Sequence, residues 1–232
     1  MSLFSYYVGV DLGSRQDYTA ITVVEEPVWT GGWASPAELT EIQVEQALAA
    51  NYYHGRPKDV PLRIRHLERL PLGTSYPQVV QRVASLMASA PLSVNRSALV
   101  VDATGVGTSV VDSLVEAGLS PIPVTIHGGD RVTPDGSGGF RVPKRDLVSA
   151  VQVLLQSGRL KIAANLPETE TLQKELLNFK MKIDPKTAHD SYSHWREGDH
   201  DDLVLSAAIA LWFRQFWNAH LDQANARREV SM

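Results

Sequence analysis

Cysteine is absent from all 232 residues. That excludes disulfides and thiolate metal sites, and it fits a reducing compartment. An excess of positive charge is lacking too. The 22 Lys and Arg stand against 26 Asp and Glu, for a formal net charge of -4, whereas a dedicated nucleic-acid-binding domain usually carries a basic face. Long apolar runs are missing. The longest, Leu203 to Phe213, is broken by Ser206 and is too short to span a bilayer. The start, Met1-Ser2-Leu3-Phe4-Ser5, has no basic segment, so no signal peptide is expected. There is no internal repeat and no low-complexity tract. What remains is a 44% hydrophobic chain, enough for one large domain with its own core.

Short apolar and alternating runs predict strands over 6–11, 18–25, 62–70, 98–102, 122–126 and 160–162. The polar link Leu12 to Asp17, with Gly13 in it, suits a turn between antiparallel neighbours. Helical spacing predicts helices over 75–90, with Pro77 in the first turn, over 105–117, ended by Gly118, over 143–157, ended by Gly158, and over 168–179. The run 202–216 is apolar nearly all round and should be a buried helix. Residues 26–60 read as an insertion, helical over 37–49. The Gly-rich stretch 127–142 reads as a mobile hairpin or loop. Residues 6–217 form the expected domain, and 218–232 a polar C-terminal tail that frays. An antiparallel start followed by helical crossovers gives an α/β mixed sheet covered on both faces.

Chemistry is concentrated at three aspartates. Asp11 and Asp102 end expected core strands, and Asp202 opens the apolar helix after Gly198-Asp199-His200-Asp201. Carboxylates beside a core are costly to bury unless something positive offsets them. On neighbouring parallel strands, Asp11 and Asp102 would stand about 5 Å apart and repel. A divalent cation between them reverses the sign of the problem, and hard cations prefer oxygen ligands. Two such ions suit phosphodiester chemistry. Asp17 and Asp201 are further carboxylates for a second ion. Each position also has a plainer reading: Asp11 and Asp102 as turn residues, and Asp201 and Asp202 as helix caps.

Three blocks carry a family resemblance. Gly9-Val10-Asp11-x-Gly13-x-x-x-Asp17-x-Thr19-Ala20-Ile21, Val100-Val101-Asp102-x-Thr104-Gly105-x-Gly107 and His200-Asp201-Asp202-Leu203-Val204-x-Ser206-x-Ala208 resemble the nuclease domain of tailed-phage terminase large subunits. The third block is the most specific. Pro143 to Val148 and Gly158-Arg159-Leu160 also look like the family, and the resemblance spans about 6–217. It implies an RNase H-like fold and a metal-dependent DNA endonuclease with little sequence preference, using two divalent cations, Mg2+ or Mn2+. It implies Asp11, Asp102 and Asp202 as catalytic metal ligands, with Asp201 and Asp17 as further candidates; Asp202 is favoured over Asp201. The implied partners are double-stranded DNA, an ATPase domain on the parent chain, a portal and a small terminase subunit, with no membrane, in the host cytoplasm. The sequence departs from the family in having no Gly-x-x-x-x-Gly-Lys-Ser/Thr phosphate loop, so it should hydrolyse no ATP by itself. The abrupt start favours an excised domain.

For DNA contact the candidates are Arg131 and Arg141, around the Gly-rich loop, with Lys144 and Arg145 at the next helix start, or else a solvated charged loop. His200 is a candidate for proton transfer or for orienting a ligand. Gly105 and Gly107 are either a phosphate cradle or, better, a tight turn. His194 and Trp195 are weaker candidates for packing on nucleic acid. Other readings are a Holliday-junction resolvase or ribonuclease of the same fold, an actin-like ATPase or sugar kinase fragment, and a non-catalytic DNA-binding or motor-docking module.

Overall fold

A computed structural model describes residues 4–13, 17–27, 60–105, 108–181 and 201–229. The segments expected at 37–49 and 187–196, with Gly107, His194, Trp195 and His200, lie outside the described residues.

Eight strands form one mixed sheet: β1 (Phe4–Asp11), β2 (Ala20–Pro27), β3 (Leu62–Arg69), β4 (Arg96–Asp102), β5 (Pro121–His127), β6 (Thr133–Pro134), β7 (Phe140–Pro143) and β8 (Leu160–Ile162). Their order is β6-β7-β5-β4-β1-β2-β3-β8. β2 is antiparallel to both β1 and β3, while β4 is parallel to β1 and β5 to β4. This β3-β2-β1-β4-β5 core is the mixed sheet, antiparallel first and then parallel, expected from the sequence. Five helices are described: α1 (Tyr76–Ala88), α2 (Thr108–Glu116), α3 (Lys144–Gln156), α4 (Thr169–Met181) and α5 (Asp202–Glu229).

The central strands read as near-continuous apolar runs because both of their faces are covered. Tyr7, Val100 and Val124 pack in the cluster that holds α3, α4 and α5. Val8, Val10, Leu99 and Val101 face the other way, with Val79 and Val83 of α1 and Leu114 of α2. α5 is wedged between the sheet and α3, which accounts for burial of Leu203, Val204 and every residue from Ser206 to Arg214. The helix runs on to Glu229, so residues from Asn218 continue it where a fraying tail was expected.

Two contacts fix α5 along the sheet. Near its start, Ser206 Oγ lies 2.7 Å from Thr22 Oγ1. Two turns on, Arg214 forms a buried ion pair with Glu26, and Tyr7 Oη donates to Glu26 from 3.3 Å. From Ser206 to Arg214 a helix rises about 12 Å. From Thr22 to Glu26 a strand rises about 13 Å. The two steps match, so α5 lies parallel to β2 and antiparallel to β1. The approach to β1 is close: a Cβ on Gly9 would stand 1.9 Å from the Ser206 carbonyl oxygen and 3.1 Å from Ala210 Cβ.

The Gly-rich stretch forms the β6–β7 hairpin, with Thr133 opposite Arg141. Asp135 Oδ1 accepts the N–H groups of Ser137 and Gly139, both at 2.8 Å. Gly136 and Gly138 take φ values of 85° and 94°, which favour glycine. β7 then pairs parallel with β5, so part of the expected loop is a strand of the main sheet.

Gly9→Ala cannot be relieved by a flexible side chain, since the obstacle is backbone. It should destabilise the fold by about 2 kcal/mol or more, measured as a lower urea midpoint without a change in slope.

Candidate active site

The parallel pair β1 and β4 sets the first two carboxylates. Val10 lies opposite Val101, so the following residues, Asp11 and Asp102, end the strands side by side. Strand alternation puts them on the α5 face, together with Tyr7, Gly9 and Val100. Asp202 arrives by a different route. It stands four residues before Ser206, one helical turn or about 6 Å, while Asp11 stands two residues after Gly9, about 6.7 Å along a strand. Because α5 runs antiparallel to β1, the Gly9–Ser206 contact carries Asp202 to Asp11. All three aspartates are buried, at 8%, 3% and 5% exposure for Asp11, Asp102 and Asp202.

The electrostatics follow. Burial, and then the charges of Asp102, Asp202 and Asp201, push the Asp11 carboxyl well above its ordinary value. Four acids therefore sense one another at the carboxyl ends of the central strands, where open α/β sheets hold their ligands. Asp102 also serves its local turn: Oδ1 accepts the Thr104 N–H at 2.8 Å, and Thr104 Oγ1 accepts the Ile126 N–H at 2.7 Å. Gly105 has φ 79°, as the tight-turn reading expects. Asp17 is exposed, on the link between β1 and β2.

Sequence reasoning missed two residues here. Asp11 is opposite Ala20, and Ala20 opposite Arg69. Arg69 thus ends β3 at the same level of the sheet as the aspartates. Its Nη2 donates to Asp202 Oδ2 and to Glu175 Oε1, both at 2.9 Å. Its guanidinium also lies over the Tyr18 ring, 4.5 Å from the centroid. Glu175, from α4, accepts the Val204 N–H through Oε2 at 3.0 Å and so caps the first turn of α5. Burial pushes Glu175 up to about 7, against the Val204 N–H and Arg69 and with help from Asp202 and Asp201. The cue was faint: Arg69 lies just before Leu70-Pro71-Leu72-Gly73, a strand-ending position like those of Asp11 and Asp102.

The donor set fits hard divalent cations by its chemistry, since it is all oxygen and the carboxylates crowd one another. Among the described residues, no group of three or more acids or histidines is gathered into a ready-made cage.

The basic candidates sit differently. β5 and β7 are parallel, with His127 opposite Pro143, so α3 starts at the same end of the sheet as Asp102. Arg131 and Arg141 are exposed, and Lys144 is half-buried. Arg145 is tied to Asp130, with Nη1 2.6 Å from Oδ1 and Nη2 donating to the carbonyl at 2.6 Å.

No family model matches the sequence, and no curated protein matches it. Among solved structures it is similar to the large terminase nuclease from thermophilic phage G20c, at 20% identity over 89% of this chain and 81% of that one, with a TM-score of 0.49. It is also similar to Thermus thermophilus RuvC, at 12% identity over 92% and 96%, with a TM-score of 0.41.

Asp11 and Glu175 both have raised values, so the folded protein holds protons that the unfolded chain releases. Stability must then fall as pH rises from the ordinary carboxylate range. For Glu175 the window runs from about 4.5 to about 7. In EDTA the urea midpoint should drop across that window, and Glu175→Gln should flatten the slope.

Proposed function

We propose that this chain is a divalent-cation-dependent nuclease that hydrolyses DNA phosphodiester bonds with little sequence preference, as the nuclease domain of a terminase large subunit. The observation that carries the reading is the burial of Asp11, Asp102 and Asp202, with Asp201 beside them, at the end of the two central strands. A stable fold has no use for so many crowded acids, and burying charge without compensation is costly. Their chemistry suits two ions of Mg2+ or Mn2+.

In this reading Asp11, Asp102 and Asp202 hold the cations, and Asp201 is the further donor. The bound ions supply an activated water and neutralise the leaving oxygen. The chain supplies rigidity. β1 and β4 fix two carboxylates through the sheet, and α5 fixes Asp202 through Gly9, Thr22 and Ser206. Arg131, Arg141 and Lys144, at or near the hairpin, would take phosphates and position the duplex without reading its bases. Arg145 holds the hairpin base through Asp130. Asp17, exposed at the β1–β2 link, is a further carboxylate for the second ion. His200 remains the candidate for proton transfer, on the strength of its place beside Asp201. In an actin-like ATPase reading, a buried aspartate at the start of α5 has no task.

The partners proposed are double-stranded DNA, an ATPase domain on the parent chain, a portal and a small terminase subunit, in the host cytoplasm. Among the described residues, no helix is long and apolar enough to cross a membrane.

Supercoiled plasmid incubated with Mn2+ or Mg2+ should be nicked and linearised, and EDTA should stop it. Asp102→Asn and Asp202→Asn should each cut the rate by more than about 100-fold, since even residues that only support metal ligands cost 10–100-fold. Folded protein that leaves plasmid, branched DNA and RNA–DNA hybrid intact with both metals would overturn the reading.

Arg131→Ala and Arg141→Ala should weaken DNA binding to a similar degree for every sequence. Each should lower the salt dependence of binding by about one phosphate contact. Fluorescence anisotropy across a salt series reads both effects.

A further inference from the structure

Resting on the nuclease reading, we infer that Arg69 and Glu175 are positioning residues that set the Asp202 carboxylate for cation binding. Three elements converge on this pair. Arg69 stands at the end of β3, Glu175 belongs to α4, and Asp202 with Val204 opens α5. One guanidinium nitrogen bridges the two acids, at 2.9 Å to each. The remaining oxygen of Glu175 is taken by the Val204 N–H at 3.0 Å. Side chain and backbone of the first α5 turn are therefore held by the same acid–guanidinium unit.

Arg69 is itself held. Its side chain is only 14% exposed, the Tyr18 ring lies against the guanidinium, and its backbone is paired with Ala20. A long side chain confined in this way fixes its partner at little further entropic cost. Asp202 is one turn from Ser206, so the backbone contacts of α5 place its Cα but do not by themselves set χ1 and χ2. Arg69 takes Oδ2 and restricts that rotation. The guanidinium plane, held against the Tyr18 ring, fixes the direction of Nη2, whereas an ammonium on a flexible stem offers no fixed geometry.

Supporting residues that orient a metal-binding carboxylate typically change metal affinity 10–100-fold. The test is isothermal titration of Mn2+ into the purified, EDTA-stripped chain, with thermal melting of the same samples without metal. Arg69→Gln should weaken the Mn2+ dissociation constant at least 10-fold. The Mn2+ concentration for half-maximal plasmid cleavage should rise in step, while the rate at saturating Mn2+ falls much less. Arg69→Lys, which keeps the charge without the fork, should recover only part of the loss. A purely structural role would lower the melting temperature and leave the affinity of the folded fraction unchanged, and that result overturns the inference. If Arg69→Gln does not fold, Glu175→Gln carries the same test: it still accepts the Val204 N–H but gives up the ionic bond, and a dissociation constant within 2-fold of the parent would overturn the inference. A parent chain that binds no Mn2+ overturns the nuclease reading and this inference together; a parent that binds and cleaves, with variants that bind equally well, overturns this inference alone.

Discussion

A backbone-to-backbone approach governs this molecule. β1 and α5 come so near at Gly9 and Ser206 that even one methyl group would overlap the helix carbonyl. Everything at the site is set from there by two periodicities. One helical turn back from Ser206 is Asp202, two residues on from Gly9 is Asp11, and the two steps are nearly equal in length. With the helix antiparallel to the strand, the two side chains must meet. The far end is held by the Glu26–Arg214 pair, so α5 cannot slide to relieve the crowding. Buried ion pairs add little net stability, but they fix register when their geometry is good.

Crowded acids set the second constraint. Asp11 is pushed toward its neutral form by burial and by three neighbouring aspartates, and among the described residues Arg69 is a cation bonded to the cluster, shared between Asp202 and Glu175. One guanidinium does not balance four aspartates and a glutamate. The imbalance is tolerable if some of the acids hold protons, or if ions of higher charge enter. Both options make the stability of this end of the sheet depend on solution conditions, while the apolar clusters on either face do not. Fold and site are thus separable: the sheet and its two helical layers carry the domain, and the carboxylates draw on that stability.

Much of the fold was legible in the sequence. Runs such as Tyr7-Val8-Gly9-Val10 and Leu99-Val100-Val101 read as two-sided strands, because in the centre of a covered sheet every residue must be apolar. Residues 202–216 read as a buried helix for the same reason. The hairpin was less legible. Glycines with positive φ at 136 and 138 look like a loop in sequence, and the short β7 that follows joins the sheet through backbone pairing that carries no side-chain signature. The polar stretch after Trp217 continued as helix, since polarity marks exposure rather than the end of a helix.

At the site, the strand-ending aspartates were visible because acids next to apolar runs are conspicuous. Arg69 and Glu175 were not, because charged residues alternating along LRIRHLER, or spaced along an amphipathic helix, look like a solvated face. What makes them different is register, which only strand pairing reveals: Arg69, Ala20, Asp11 and Asp102 form one row across four strands. Along that row the chemistry changes from cation through a small apolar residue to two acids. Ala20 sets the Arg69 backbone two strands, about 10 Å, from that of Asp11, and the guanidinium meets the cluster at Asp202. A larger residue at position 20 would occupy the space between them. A small residue there therefore lets the Arg69 guanidinium and the Asp202 carboxylate meet on the α5 face of the sheet.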